Sequence, residues 1–214
     1  MSEIVSFGYE DVSPEEKTQR VGAVFSNVAR RYDVMNDAMS GGMHRLWKDR
    51  FVNRVKPRAG EMILDMAGGT GDIAFRMQAH DALGTVADIN PDMLAVGMER
   101  AEDRDIGGLS WSEQNAETLS FDDAAFDGYT IAFGIRNVTR IDVALAEAFR
   151  VLKPGGRLVI CDAGKANWFH GLGGRIWMAT AVQWIARYVT REKNHPWKGL
   201  ANTYTQYGTN GYYR

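Results

Sequence analysis

The residues best able to do chemistry sit where short apolar runs give out. The densest group is Leu64-Asp65-Met66-Ala67-Gly68-Gly69-Thr70-Gly71-Asp72. The run Met62–Leu64 reads as a buried strand that ends on an acid, breaks into a glycine-rich turn, and re-enters an apolar pattern with helical spacing at Ile73, Ala74 and Met77. Glycines let a backbone turn tightly and approach a ligand where a Cβ would clash. The first turn of the new helix then points free N–H groups at that ligand. A second acid, Asp88, closes the run Gly84–Ile89, where a carboxylate can hold a ribose diol by two hydrogen bonds. Arg136 and Asn137 follow the run Phe126–Phe133 and join a permanent cation with a fork of donors to an amide.

Gly69-Thr70-Gly71-Asp72-Ile73-Ala74 also fits the G-x-G-x-x-G/A dinucleotide fingerprint, a weak signal by itself. Asp65 shifts the balance. A carboxylate there repels a pyrophosphate but attracts the amino group of S-adenosylmethionine (SAM), which disfavours a dehydrogenase. Asp88 supports an adenosine cofactor without choosing between the two classes. Asn115-Ala116, closing the run Leu109–Asn115, is placed to meet an adenine edge with an amide or a backbone N–H.

The elements that must hold these residues alternate. Strands are expected at Met62–Leu64, Gly84–Ile89, Leu109–Asn115, Phe126–Phe133 and Arg157–Ala163, with Asn90-Pro91 opening one helix and Ile141–Leu152 forming another before Lys153-Pro154-Gly155-Gly156. That pattern predicts an α/β, Rossmann-like, doubly wound and mostly parallel sheet with helices on both faces. Ligands then bind at the carboxyl ends of the strands, where Arg136 and Asn137 fall.

Residues 1 to about 18 read as a flexible lead, with Ser13-Pro14-Glu15-Glu16 able to start a helix at Pro14. Val21, Phe25, Val28, Ala29, Tyr32, Met35 and Met39 then give one apolar helical face, an N-terminal helical cap on the domain. In the following stretch Tyr32, Asp33, Asn36, His44 and Arg45 are too polar for core alone and suit a pocket, with Gly41-Gly42 as a hinge; a lone histidine such as His44 is more often structural than catalytic. The reading is one domain over 1–214: a cap segment 1–50, a cofactor-binding core 51–162 and a tail 163–214.

A chain of 214 residues with net charge −2 suits one globular domain and gives no overall push toward nucleic acid. One cysteine, Cys161, rules out an internal disulfide and reads as an inert buried thiol. The acidic N-terminus lacks a signal-peptide core, and no apolar run approaches the roughly 20 residues of a membrane span. An intracellular, cytoplasmic protein is expected, with no metal-ligand cluster. The tail differs: from 163 to 214 it carries seven Lys or Arg against the single acid Glu192, with Trp168, Trp177, Trp184 and Trp197. Ile176–Val189 there suits a helix with a broad aromatic face, and Thr203–Tyr213 a closing hairpin. Basic and aromatic helices suit a bilayer interface or an apolar channel, and packing on the sheet accounts for them equally.

Taken together, these motifs resemble the class I SAM-dependent methyltransferases, and more narrowly the ubiquinone/menaquinone biosynthesis C-methyltransferases (the UbiE family), over residues 20 to 162. The resemblance rests on Tyr32-Asp33-x-Met35-Asn36 through Ser40, His44 and Trp47; Leu64 through Asp72; Asn115-Ala116; Gly134-Ile135-Arg136-Asn137-Val138; and Arg150 through Gly156. It implies SAM as cofactor, with contacts at Thr70, Asp88, Asn115 and Ala116 beside Asp65, Gly69 and Gly71. The family's further serine is replaced by Ala132. Its second signature breaks at Cys161-Asp162-Ala163-Gly164, and the tail is not matched. The implied reaction is methylation of a quinol ring carbon: Arg136 meets the phenolate, Asn137 orients it or binds the second oxygen, and Tyr32 or His44 on the cap relays the proton. A lipophilic quinol, peripheral contact with the inner face of a membrane through the tail, and a homodimer or biosynthetic complex are the partners it implies, with no nucleic acid. Two alternatives remain on the residues alone: a SAM-dependent methyltransferase for another small or lipid acceptor, and a non-catalytic SAM-binding module.

Overall fold

A computed structural model describes residues 5–7 and 10–162, in two compact units, the residues up to His44 and Arg45–Asp162. The expected tail helix and hairpin lie outside the described residues.

In the first unit the lead contains a strand pair that the sequence reading did not anticipate. Strand β1 (Val5–Phe7) pairs antiparallel with β2 (Glu10–Val12), Val5 opposite Val12. Helix α1 (Pro14–Val28) begins as predicted, with Pro14 in its first turn and the Ser13 hydroxyl accepting from the Glu16 N–H at 3.1 Å. Arg20 ties the strand pair to the helix by ion pairs to Glu10 and Glu16, each at 2.6 Å. The apolar stripe is not one helix. A 3₁₀ turn over Ala29–Arg31 separates α1 from α2 (Tyr32–Ser40), because the backbone leaves helical geometry at Val28 (φ −115°, ψ −2°) and Arg31 (φ −117°, ψ 10°). The tighter turn redirects the chain while Val24, Val28, Ala29 and Met35 stay buried. Gly41 ends α2 in the left-handed region (φ 58°), so the expected hinge glycines include a helix cap.

The second unit holds most of α3 (Met43–Val55) and a five-stranded parallel sheet: β3 (Met62–Met66), β4 (Leu83–Asp88), β5 (Leu109–Glu113), β6 (Phe126–Ala132) and β7 (Leu152–Cys161). The order across the sheet is β5-β4-β3-β6-β7, with Asp65 opposite Val86 on one side and Thr130 on the other. Successive residues of β3 face opposite ways. Ile63 packs with Phe51, Val52 and Val55 of α3, with Ile73 and Met77 of α4 (Asp72–Gln78) and with Leu94 of α5 (Pro91–Asp103). Leu64 and Met66 pack with Tyr129 and Ile131 and with Ala144, Ala148 and Val151 of α6 (Ile141–Val151). The doubly wound α/β class is as predicted.

Three details differ. No helix joins β5 to β6; residues 114–125 run as a loop pinned by Arg150, whose guanidinium donates to the Phe121 and Leu119 carbonyls at 2.8 and 3.0 Å. β7 starts at Leu152 instead of Arg157, and its pairing with β6 slips between Phe126 and Gly128 to absorb Lys153–Gly156. Cys161 is half-buried, with its thiol pKa pushed up by burial and by Asp162. Among the described residues no helix is long and apolar enough to cross a membrane.

Candidate cofactor and acceptor site

The chain runs from β3 to β4 and β5 on one side, then returns to β6 on the other side of β3. The reversal puts a crevice at the carboxyl ends of β3 and β6, the position where open α/β sheets bind ligands. Ala67 after β3 and Phe133 after β6 both adopt left-handed backbone (φ 53° and 60°), an unfavourable region for residues with a Cβ. Gly134 lies so close to the first loop that an added Cβ would sit 2.5 Å from the Ala67 Cβ. Only glycine allows that approach.

Asp65 is 1% exposed at the end of β3. Its Oδ1 accepts the Thr130 hydroxyl at 2.8 Å, while its buried Oδ2 has no hydrogen-bond partner among the described residues. Loss of water raises this carboxyl to about pKa 7; the Thr130 hydrogen bond and the nearby Ala74 N–H pull the other way, and the Asp88 and Asp72 charges add to the rise. An unsatisfied buried acceptor of this kind fits a cationic donor on a ligand.

The loop that follows is built to stay in place. The Gly68 N–H donates to the Ala87 carbonyl at 3.1 Å, and the Gly71 N–H to the Gly68 carbonyl at 2.9 Å. Gly71 is left-handed (φ 78°), and a Cβ there would meet the Trp111 ring at 2.6 Å. Trp111 reaches over from β5, packs edge-on to Phe75 with centroids 6.2 Å apart, and also fills the space a Cβ on Gly97 would take. Thr70 is buried, and its hydroxyl accepts from Arg100 at 2.8 Å. Below the loop the buried Lys48 pairs with Asp72 at 2.6 Å, and Arg76 binds the other Asp72 oxygen. Burial raises the Asp72 pKa, but the two cations prevail and hold it at about 2.

Asp88 sits across the loop from Asp65. One of its oxygens accepts the Gly69 N–H at 2.9 Å, the other the Asn90 N–H at 2.9 Å. Desolvation raises this carboxyl to about pKa 6 despite those backbone donors. Asn90, as expected, caps α5 by accepting from the Asp92 and Met93 N–H groups. The Asp88 carbonyl accepts the Gln114 N–H at 2.9 Å, which brings Asn115 and Ala116 next to the same strand end. Ala116 is buried; exposed Asn115 turns its Oδ1 back onto the Glu117 N–H at 2.9 Å.

Arg136 and Asn137 form a single 3₁₀ turn (Ile135–Asn137) after β6. Arg136 is 3% exposed, so it is not a surface arginine. Its guanidinium donates to the Phe133 carbonyl at 2.9 Å and pairs with Asp162 at 3.0 Å, while its backbone N–H donates to the other Asp162 oxygen at 3.3 Å. Asp162 thereby offsets the charge that the sequence suggested would face an acceptor. The Asn137 Oδ1 is buried with no hydrogen-bond partner among the described residues. The loop ends on Thr139 and Arg140, whose N–H groups both donate to Glu117.

Asp65, Gly69, Thr70, Gly71, Asp88, Asn115 and Ala116 therefore share one region at the strand ends, with Arg136 and Asn137 on the adjoining turn. Tyr32 and His44 belong to the first unit. There the Tyr32 ring packs at a tilt against Phe25 with centroids 6.0 Å apart, and the buried His44 shares a 2.8 Å hydrogen bond with Asp37 through Nε2, while Nδ1 has no partner among the described residues. Sequence reasoning missed Thr130, Trp111, Lys48 and Glu117. Only Trp111 left a trace, in a glycine placed mid-helix at Gly97.

The fold is that of the class I SAM-dependent methyltransferases. It is similar to the structure of the [4+2]-cyclase SpnF, with TM-score 0.61 and 24% identity over 70% of this chain and 61% of that one. It is also similar to a SAM-dependent methyltransferase from Aquifex aeolicus, with TM-score 0.52 and 18% identity over 56% of this chain and 65% of that one. Residues 13–173 match the ubiE/COQ5 methyltransferase family, extending the match beyond Asp162, where the sequence motifs stopped. The chain belongs to that family. It is 63% identical over 166 residues to the ubiquinone/menaquinone biosynthesis C-methyltransferase UbiE of Zymomonas mobilis, covering 78% of this chain and 69% of that protein. To the mitochondrial 2-methoxy-6-polyprenyl-1,4-benzoquinol methylase of Arabidopsis thaliana it is 53% identical over 184 residues, covering 75% and 63%. The chain thus spans about two thirds of the length of these relatives.

Proposed function

We propose that this chain is a SAM-dependent C-methyltransferase that methylates the ring of a polyprenyl benzoquinol or demethylmenaquinol in ubiquinone/menaquinone biosynthesis. The observation that carries the reading is the pair of desolvated carboxylates across the glycine loop, Asp65 with an unsatisfied oxygen and Asp88 on backbone donors. They suit the two polar ends of SAM, Asp65 the ammonium and Asp88 the ribose diol, with Asn115 and Ala116 at the adenine. Bound there, SAM supplies an electrophilic methyl on a sulfonium. The family names of the relatives supply the acceptor class.

A quinol ring carbon becomes nucleophilic when the adjacent phenol, with an ordinary pKa near ~10, loses its proton. Arg136, clamped by Asp162 and the Phe133 carbonyl, gives the oxyanion an oriented donor group with a compensated charge. The unsatisfied Asn137 Oδ1 is an acceptor for the second ring hydroxyl. Tyr32 and His44 are the proton-relay candidates, His44 with Nδ1 as acceptor when Nε2–H is given to Asp37. Holding ring carbon and methyl at attack distance supplies the rest of the acceleration. The basic, aromatic segment 163–214 supports peripheral contact with the inner, cytoplasmic face of a membrane, where a lipophilic quinol resides. A homodimer or a biosynthetic complex is the assembly this reading favours.

The test is a methyl-transfer assay with labelled SAM on a short-chain demethylmenaquinol and on a methoxy-benzoquinol lacking the methyl, each reduced and oxidised, alongside calorimetry of SAM binding. Transfer to a reduced quinol, and none to the oxidised form, is expected. Tight SAM binding with no quinol product overturns the acceptor and leaves the cofactor.

A further inference from the structure

We propose that Glu117 is a positioning residue that fixes the acceptor turn, Arg136-Asn137, against the adenosine side of the cofactor site. Glu117 is 8% exposed, in the loop that carries Asn115 and Ala116. Its Oε1 accepts the Thr139 N–H at 3.1 Å and the Arg140 N–H at 2.9 Å, and its Oε2 accepts Arg140 Nε at 2.7 Å. Thr139 and Arg140 follow the acceptor turn directly and lead into α6. One carboxylate therefore spans from the end of β5 to the end of β6, satisfied by three donors and two of them backbone. A buried anion bonded in this way is a rigid link, because losing any donor leaves desolvated charge behind.

The two ends of the link are unequally supported. The cofactor-side loop has other anchors: Gln114 N–H to the Asp88 carbonyl at 2.9 Å, Leu119 N–H to Glu147 at 2.8 Å, and Arg150 to the Leu119 carbonyl at 3.0 Å. The Thr139 and Arg140 N–H groups converge on Glu117 Oε1. Arg136 is itself held by the Phe133 carbonyl and Asp162, so removing the carboxylate releases the far side of the acceptor turn, from Asn137 to Arg140, more than the adenosine contacts. A shift of about 1 Å in a reacting group costs on the order of a hundredfold in rate, so the loosened turn falls in a range that kinetics can read.

The catalytic part of this inference rests on the methyl-transfer reading above; the link itself does not. The experiment compares Glu117→Ala and Glu117→Gln in the full chain, since glutamine keeps a carbonyl at Oε1 for both backbone donors. For Glu117→Ala, kcat/KM for the reduced quinol should fall about tenfold to a hundredfold while SAM affinity by calorimetry stays within about threefold. Glu117→Gln should return kcat/KM to within about threefold of the parent. Hydrogen exchange of the SAM-loaded protein should quicken over residues 138–140 in Glu117→Ala and remain native in Glu117→Gln. Unchanged exchange there, a glutamine variant no better than alanine, or a loss of SAM affinity as large as the loss of kcat/KM each overturns the proposal. Should the parent methylate no quinol, exchange and SAM affinity still decide it, and only the acceptor reading falls. If Glu117→Ala does not fold, Glu117→Asp replaces it, one methylene too short to reach both backbone donors.

Discussion

SAM binding should draw a proton off this protein between pH 5.5 and 7. Asp65 is raised to about pKa 7 in the free chain, chiefly by desolvation, and its unsatisfied Oδ2 is the proposed partner of the cofactor ammonium. If the ionised form is the one that binds, affinity scales with the ionised fraction. That fraction rises from roughly 3% at pH 5.5 to about half at pH 7, a gain of about sixteenfold, with Asp88, at about pKa 6, steepening the same limb. Above pH ~8 the ligand's own amino group loses its charge, so the profile turns over. The assay is isothermal titration of SAM at pH 5.5, 6, 6.5, 7 and 8 in two buffers of different ionisation enthalpy, which counts protons released. About 0.9 proton from Asp65 is expected at pH 6 and little at pH 8; Asp65→Asn should bind more weakly and lose most of that release. In the free protein the same carboxyls act in the opposite sense. Their folded pKa values lie above the unfolded value of about 3.9, so their contribution to stability is full below about pH 4 and is lost as pH rises through about 6 and 7. An affinity flat from pH 5.5 to 7 with no proton release would refute the pairing of Asp65 with the ammonium.

Arg136→Ala should lower turnover by about two orders of magnitude or more while SAM still binds, and near-normal turnover removes Arg136 from the chemistry. Lys48→Met leaves Asp72 in its buried position with Arg76 as its other partner; a loss of about 2 kcal/mol, or about 4–8 °C in Tm, is expected by thermal melting at pH 7. Because the Asp72 pKa is depressed to about 2, that stabilisation is present above about pH 4 and lost as pH falls through 2. The difference between the parent and Lys48→Met should accordingly shrink in acid. Gly134→Ala should cost about 1–3 kcal/mol by driving its Cβ into Ala67, and adding Ala67→Gly should recover most of it by removing both the clash and a left-handed alanine.

The strand ends were legible because each carried its own punctuation. Asp65 before the glycines, Asp88 before Asn90-Pro91 and Arg136 after Gly134 are local patterns, and the structure gathers them at one edge of the sheet. What stayed hidden was long-range. Glu117 meets donors 22 and 23 residues away, Lys48 meets Asp72 at a separation of 24, and Thr130 reaches Asp65 across 65 residues. No spacing rule encodes such partners. The stripe from Val21 to Met39 misled because a 3₁₀ turn preserves a three-residue rhythm while changing direction. The alternation of strand and helix breaks between β5 and β6, where a loop fastened by Arg150 joins the two strands. Arg136 was found, but its charge partner Asp162 was read only as part of the stretch where the second signature breaks.

The strand order also dictates a folding sequence. β3 meets β4 after a short excursion, Met66 opposite Ala87, but its other edge waits for β6, where Met66 lies opposite Ile131. As the chain emerges from the ribosome, β3, β4 and β5 can pair while the β3 edge stays bare, an apolar template for another chain until β6, roughly 60 residues after β3, has been made. Parallel pairing at that separation carries a loop-closure cost before any contact repays it. A chain interrupted before Phe126 should therefore be sticky rather than merely inactive, and the step that completes the acceptor turn is the same step that hides the edge.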